Sequence, residues 1–146
     1  MELRTPRTDA DWKAYYALRF SVLREPWNQP RGSEILADEQ GAIHIMAVEQ
    51  EKILGVARMH ESAVNQGQVR CVAVATDQQG KGVGKAIMRA LEAQAQAKGW
   101  HEIVLEAREN AVPFYKSLGY HIEQESYLLF GEIQHYRMKK ALPLSE

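Results

Sequence analysis

Between residues 9 and 24, Trp12, Tyr15, Tyr16, Phe20, Val22 and Leu23 recur at mixed three- and four-residue spacings. That is the stripe an amphipathic helix buries, and Asp9 or Asp11 could cap its start. Residues 25–41 carry Pro26, Trp27, Asn28, Pro30, Arg31 and Gly32, a mixture that predicts irregular chain or short helix and marks a candidate binding loop. Two apolar runs, 42–49 and 53–59, flank the polar Gln50-Glu51-Lys52 and read as a strand hairpin. Residues 68–76 (QVRCVAVAT), apolar at most positions beyond Arg70, predict a third strand, central in the sheet.

The clearest helix follows at 83–97, where Val83, Ile87, Leu91 and Ala95 recur every four residues and Gly99 stands at the stop position. A strand at 102–107 (EIVLEA) leads to Asn110, a candidate N-cap for a short helix that runs through Leu118 and ends at Gly119. Strands at 120–130 and 133–139, either side of Gly131, close a second hairpin. The strand, helix, strand order around 83–97 implies one parallel crossover in an otherwise antiparallel sheet. The expected fold is mixed α/β: one domain over residues 1–146, with a mostly antiparallel sheet and helices on both faces.

Composition narrows the function classes. With 146 residues, 45% apolar and 25% charged, the chain can bury a core. Lys plus Arg (18) nearly balance Asp plus Glu (19), so no basic footprint points to nucleic acid or an anionic membrane. Cys71 is the only cysteine, which excludes a disulfide framework and Cys-rich zinc modules and fits a reducing, cytoplasmic setting. No apolar stretch approaches the ~20 residues of a membrane span, and MELRTPRTDA lacks the apolar core of a signal peptide. The histidines at 44, 60, 101, 121 and 135 show no metal-ligand spacing, so no metal is expected.

Chemistry concentrates at Gln79-Gly80-Lys81-Gly82-Val83-Gly84-Lys85, between the central strand and the best helix. Free backbone N–H groups and a positive helix end there can hold phosphate oxygens, and glycines let the backbone come close. A Walker A loop would need Gly at 79 and Ser or Thr at 86, where this chain has Gln79 and Ala86. The dinucleotide pattern fails as well, because Lys85 or Ile87 stands where its third glycine belongs. A plain connection that only starts the helix would have the same composition.

What remains, Gln-x-x-Gly-x-Gly at a strand-to-helix turn, resembles the signature of the GNAT superfamily of N-acetyltransferases. A second stretch, Asn110-Ala111-Val112-Pro113-Phe114-Tyr115 and on to Gly119-Tyr120, is similar to that family's later signature. The resemblance implies that backbone N–H groups around Gly80, Lys81, Gly82, Val83, Gly84 and Lys85 bind the pyrophosphate of acetyl-CoA, with Gln79 shaping the turn. It implies that Val72, Ala73 and Val74 splay from the neighbouring strand toward the pantetheine arm, and that Asn110 contacts that arm. Tyr115 would lie near the thioester sulfur as general acid.

The general base is less defined. Some relatives in that family place a glutamate near the start of the central strand, where this chain reads Gln66-Gly67-Gln68-Val69-Arg70. His135 and Glu132 of the last hairpin are the candidates taken, and His60 and Glu61 are weaker ones. By the same resemblance Arg24 and Trp27 border the acceptor, a primary amine of a small molecule or peptide. Cys71 reads as an inert buried thiol. The expected activity is direct, sequential acetyl transfer by a monomer or homodimer. A non-catalytic acyl-CoA-binding regulatory module and a partner-binding domain without cofactor are the competing readings.

Overall fold

The structure, a computed structural model, describes residues 1–143. The elements in chain order are β1 (Glu2–Arg4), α1 (Asp9–Leu23), β2 (Ile43–Glu49), β3 (Lys52–Ala63), β4 (Gln66–Val74), α2 (Val83–Ala97), β5 (Glu102–Arg108), α3 (Val112–Ser117), β6 (His121–Leu129) and β7 (Ile133–Ala141). Hydrogen bonding orders the strands β1-β2-β3-β4-β5-β7-β6, with β4 and β5 parallel, as the strand, helix, strand order predicted. The chain divides into two compact units: Met1–His60 with Cys71–Leu91, and Glu61–Arg70 with the chain from Glu92 onward.

In the first unit α1 lies on one face of the β2–β3 ladder. Tyr15 meets Met46, Val48, Val56 and Ala73, with Trp12, Leu18, Val22 and Ile53 packed around them. A fully buried side chain of this kind contributes ~1.5–3 kcal/mol. Side chains alternate along a strand, so Gly55, next to Val56, faces the other way. A Cβ on Gly55 would stand 2.8 Å from Ile87 Cδ1 and 2.9 Å from Val83 Cγ1. Glycine there lets α2 seat against the strand, and helices cover both faces as expected.

In the second unit β5, β7 and β6 run antiparallel, and the start of β4 pairs with β5 from Gln66↔Glu102 to Val69↔Leu105. Ile103, Leu105 and Met138 form its core with Leu118 and Tyr120. Buried Glu92 accepts from the Tyr120 hydroxyl at 2.9 Å and from Lys140 Nζ at 3.1 Å.

Three local expectations need correction. The cap of α1 is Thr8, whose Oγ1 accepts the Asp11 N–H at 3.0 Å. Asp11 is committed elsewhere: its carboxylate accepts from the Arg7 N–H and from Arg4 Nη2. Asn110 does not cap α3, because it lies inside a preceding 3₁₀ turn (Glu109–Ala111) and Ala111 takes the cap position. The strand expected to stop at Met59 continues to Ala63, and its neighbour starts at Gln66 instead of Gln68.

Candidate functional site

The glycine turn sits in the first unit. Gln79 is extended, Gly80 and Gly82 have φ of +78° and +85°, and α2 opens at Val83. Positive φ is cheap only for glycine, and at both positions nothing stands within 4 Å of where a Cβ would be. The Ala86 N–H donates to the Gly82 carbonyl at 3.0 Å. Gly82, Val83, Gly84 and Lys85 therefore present N–H groups ahead of the first intrahelical bond, at the positive end of a 15-residue helix. Open approach, exposed Lys81 and Lys85, and a row of N–H donors fit a pyrophosphate. Gln79 Nε2 donates to the Val74 carbonyl at 3.4 Å, tying the turn to the strand before it.

That strand changes character near its middle. The ladder with β5 ends at Val69↔Leu105, and Cys71 takes φ +57°, the left-handed region. Such a residue bends its strand and interrupts pairing. Val72, Ala73 and Val74 lie beyond it, and the Ala75 N–H turns to the Leu54 carbonyl at 2.8 Å.

In the second unit Tyr115 is 7% exposed, with its ring edge-on to Phe114 and Tyr120 at 5.0 and 5.9 Å. Burial pushes its phenol well above the ordinary value, and the charge of Arg108 opposes that rise. His135 is buried and stacked on Tyr127, centroids 4.4 Å apart. Its Nδ1 lies 2.9 Å from the Ile133 carbonyl, which can only accept, so Nδ1 carries the proton and the neutral ring keeps its lone pair on Nε2. Burial holds the pKa of His135 below its ordinary value.

The register sets Arg108 opposite His135 and Glu106 opposite Arg137, on one face. Glu106 carries a carboxylate on that face, and Oε2 of this side chain is buried with no hydrogen-bond partner. Sequence reading passed over it as one polar position in EIVLEA, although alternation alone puts it on the face of Val104 and Arg108. Glu132, in contrast, lies exposed in the β6–β7 turn, apart from the buried positions Ile133 and His135.

The residues expected at the acceptor lie in the first unit. Arg24 caps the end of α1 and donates from Nε to the Ser33 carbonyl and from Nη1 to the Leu23 carbonyl, each at 3.2 Å. Its guanidinium is thus engaged in shaping the loop. Trp27 is half-buried in a 3₁₀ turn (Glu25–Trp27), and its N–H donates to the Arg24 carbonyl. His60 accepts at Nδ1 from Arg58 Nη2 at 2.8 Å.

Among the described residues no group of three or more His, Cys, Asp or Glu is arranged to hold a metal ion. No described helix is long and apolar enough to cross a membrane.

Comparison with known proteins adds an independent line. The acetyltransferase (GNAT) domain family matches residues 25–142. The uncharacterized N-acetyltransferase YjcF of Bacillus subtilis is 31% identical over 134 residues, covering 92% of this chain and 95% of that protein. A crystal structure from Lactobacillus plantarum, assigned as an N-acetyltransferase, superposes with a TM-score of 0.85 at 20% identity, over 97% of this chain and 98% of the other. An aminoglycoside 6'-N-acetyltransferase in complex with coenzyme A superposes with a TM-score of 0.83 at 15% identity over 100% of both chains.

Proposed function

The chain belongs to the GNAT family of acetyltransferases, and from that premise we propose that it moves the acetyl group of acetyl-CoA directly onto a primary amine of a small molecule or peptide. The observation that carries the reading is the turn at Gly80 and Gly82, whose open glycine positions precede the free N–H groups of α2. Acetyl-CoA supplies an activated thioester and a sulfur leaving group. The backbone N–H groups of Gly82, Val83, Gly84 and Lys85 hold its pyrophosphate. Val72, Ala73 and Val74, beyond the end of the β5 ladder, offer backbone groups to the pantetheine arm, and Asn110 contacts the same arm.

A primary amine is an ammonium ion at neutral pH and has to shed a proton before its nitrogen can attack. The candidate bases in this reading are Glu106 Oε2, an orphaned carboxylate oxygen, and His135 Nε2, the lone pair of a ring whose pKa burial lowers. As the C–N bond forms and the C–S bond breaks, Tyr115 donates to the departing sulfur. Its raised pKa makes complete transfer to a thiolate, whose reference pKa is near 8.5, an uphill step. Tyr115 therefore stabilises the sulfur as a donor. The nitrogen's second proton compensates whatever proton the sulfur takes. Glu132, exposed in its turn, serves at most as an outer contact for the acceptor.

The test is CoA-thiol release from acetyl-CoA across amino acids, amino sugars, polyamines, aminoglycosides and alanyl peptides, against an amine-free control. Amine-dependent release is the expected result. Release that never exceeds the control, together with saturable acetyl-CoA binding, would replace the enzyme with an acyl-CoA-binding regulatory module.

A further inference from the structure

A cleft of about 740 Å³ lies between the first turns of α1 and the β1–β2–β3 ladder. Every residue that lines it belongs to the first compact unit, and none of them has a place in donor binding or acetyl transfer. The volume falls within the ~300–1,000 Å³ range of small-molecule pockets.

The cleft follows from the sequence of α1. Ala10, Ala14, Leu18 and Val22 stand four apart, along one ridge of the helix. Leu18 and Val22 pack against the cluster around Tyr15, whereas the methyl groups of Ala10 and Ala14 leave the space beneath them open. The floor of that space is apolar: Met46, Val48, and Ile53 paired with Val48. β1 sets Glu2 opposite Val48 and Arg4 opposite Met46, so both side chains stand beside the floor.

The rim is acidic. Glu2, Asp11, Glu49 and Glu51 bring four carboxylates, against two cations, the Arg4 guanidinium and the amine of Met1. Arg4 is shared between Glu2 and Asp11, and the Met1 amine lies 3.3 Å from Glu49. Glu51 has no ion-pair partner among the described residues. The positive end of α1 does not offset this excess, being answered by the Thr8 cap and by Asp9 and Asp11 in the first turn.

An apolar floor under an acidic rim is selective. An anion is repelled, and a neutral apolar molecule would leave carboxylates desolvated without a partner. The rim carboxylates are not arranged to hold a metal ion. We propose that the cleft is a binding site for an organic cation with an apolar body, an alkylammonium ion whose chain lies on Met46, Val48 and Ile53 and whose head meets Glu49 and Glu51. The site does not depend on the acetyltransferase reading.

Octyltrimethylammonium is the probe, because its nitrogen carries neither a proton nor a lone pair and cannot accept an acetyl group. Calorimetric titration of the full chain is expected to show saturable binding that weakens as salt is added. Octane-1-sulfonate, with the same chain and the opposite charge, should bind at least about tenfold more weakly. Ala14→Leu fills the cleft and should weaken binding of the ammonium about tenfold or more. A double variant, Glu49→Gln with Glu51→Gln, alters two exposed side chains, should fold normally, and should weaken it about threefold to thirtyfold. Circular dichroism checks the fold of each variant, and if A14L does not fold, the double variant and the sulfonate decide. Absence of saturation, equal affinity for the sulfonate, or undiminished affinity in either folded variant would overturn the proposal.

Discussion

Glu106 and Arg137 face each other across the β5–β7 ladder, and Arg137 Nη1 donates to Oε1 at 3.0 Å while Oε2 stays buried without a partner. A buried carboxylate oxygen left unsatisfied costs ~1–3 kcal/mol, and a proton or an ammonium ion would satisfy it. If Oε2 receives a proton or the ammonium of the acceptor, Glu106→Gln keeps the Arg137 contact and removes the basic oxygen. The expected outcome is a fall in kcat/KM for the amine of about 10²–10⁴-fold, with acetyl-CoA affinity unchanged. Steady-state rates beside calorimetric acetyl-CoA titration would check it, and full activity in E106Q would remove Glu106 from the reaction.

Tyr115 makes a separable prediction. Burial raises its pKa, so it stays protonated across the neutral and mildly alkaline range. Tyr115→Phe should lower kcat by about tenfold to a hundredfold and leave KM for acetyl-CoA almost unchanged, since the donor acts mainly as negative charge develops on sulfur. The alkaline side of the wild-type pH–rate profile should show no ionisation assignable to this phenol. Undiminished turnover in Y115F would reject its role.

Much of this architecture was legible before the structure. The four-residue spacing of Val83, Ile87, Leu91 and Ala95 located α2, all four being buried, and the glycines ahead of it located the turn. Two short signatures were enough to suggest the family. The polar interior was not legible. Arg19 and Arg58 both donate to Glu39 from about twenty positions away, and charged residues in a sequence read as surface until the chain is folded. Glu106 was hidden for a related reason, because nothing local reveals that one oxygen of an ordinary strand glutamate lacks a partner. Thr8 prevailed over the aspartates as a cap because Asp11 already serves Arg4 and Arg7.

Two buried histidines couple stability to pH. Burial lowers the pKa of both His44 and His135 in the folded state relative to their ordinary 6.5. The unfolded chain therefore binds protons first as pH falls, and stability must decline below about 6.5 until the native values are reached. Urea unfolding at pH 8, 7, 6 and 5 should show a constant midpoint between 8 and 7 and a falling one below. Replacing both histidines with glutamine should flatten that part of the curve. A midpoint that rises on acidification would contradict the burial of neutral imidazoles.

At Gly82 the backbone φ of +85° stands in open space, so an added methyl meets no neighbour and the effect of substitution is conformational. Forcing an L-residue into that region costs roughly 1–2 kcal/mol. In the ligand-free Gly82→Ala protein the exposed turn relaxes away from φ +85°, so it should melt close to wild type, and restoring that conformation should weaken acetyl-CoA binding about fivefold to thirtyfold. Isothermal titration beside thermal denaturation distinguishes this from a general loss of fold, and unchanged affinity would indicate that the turn does not hold the donor.

One edge of the sheet has a consequence for the behaviour of the protein in bulk. β6 exposes Ile122, Tyr127 and Leu128, a composition that in a straight edge strand would template further strands. Its pairing with β7, however, slips between Ile122 and Gln124 and again between Glu125 and Leu128. Each irregularity bends the strand and breaks the rhythm of outward N–H and C=O groups, so an incoming chain finds no uninterrupted row to copy. The apolar edge is thereby denied the geometry that nucleates fibrils, and concentrated solutions should stay clear despite it.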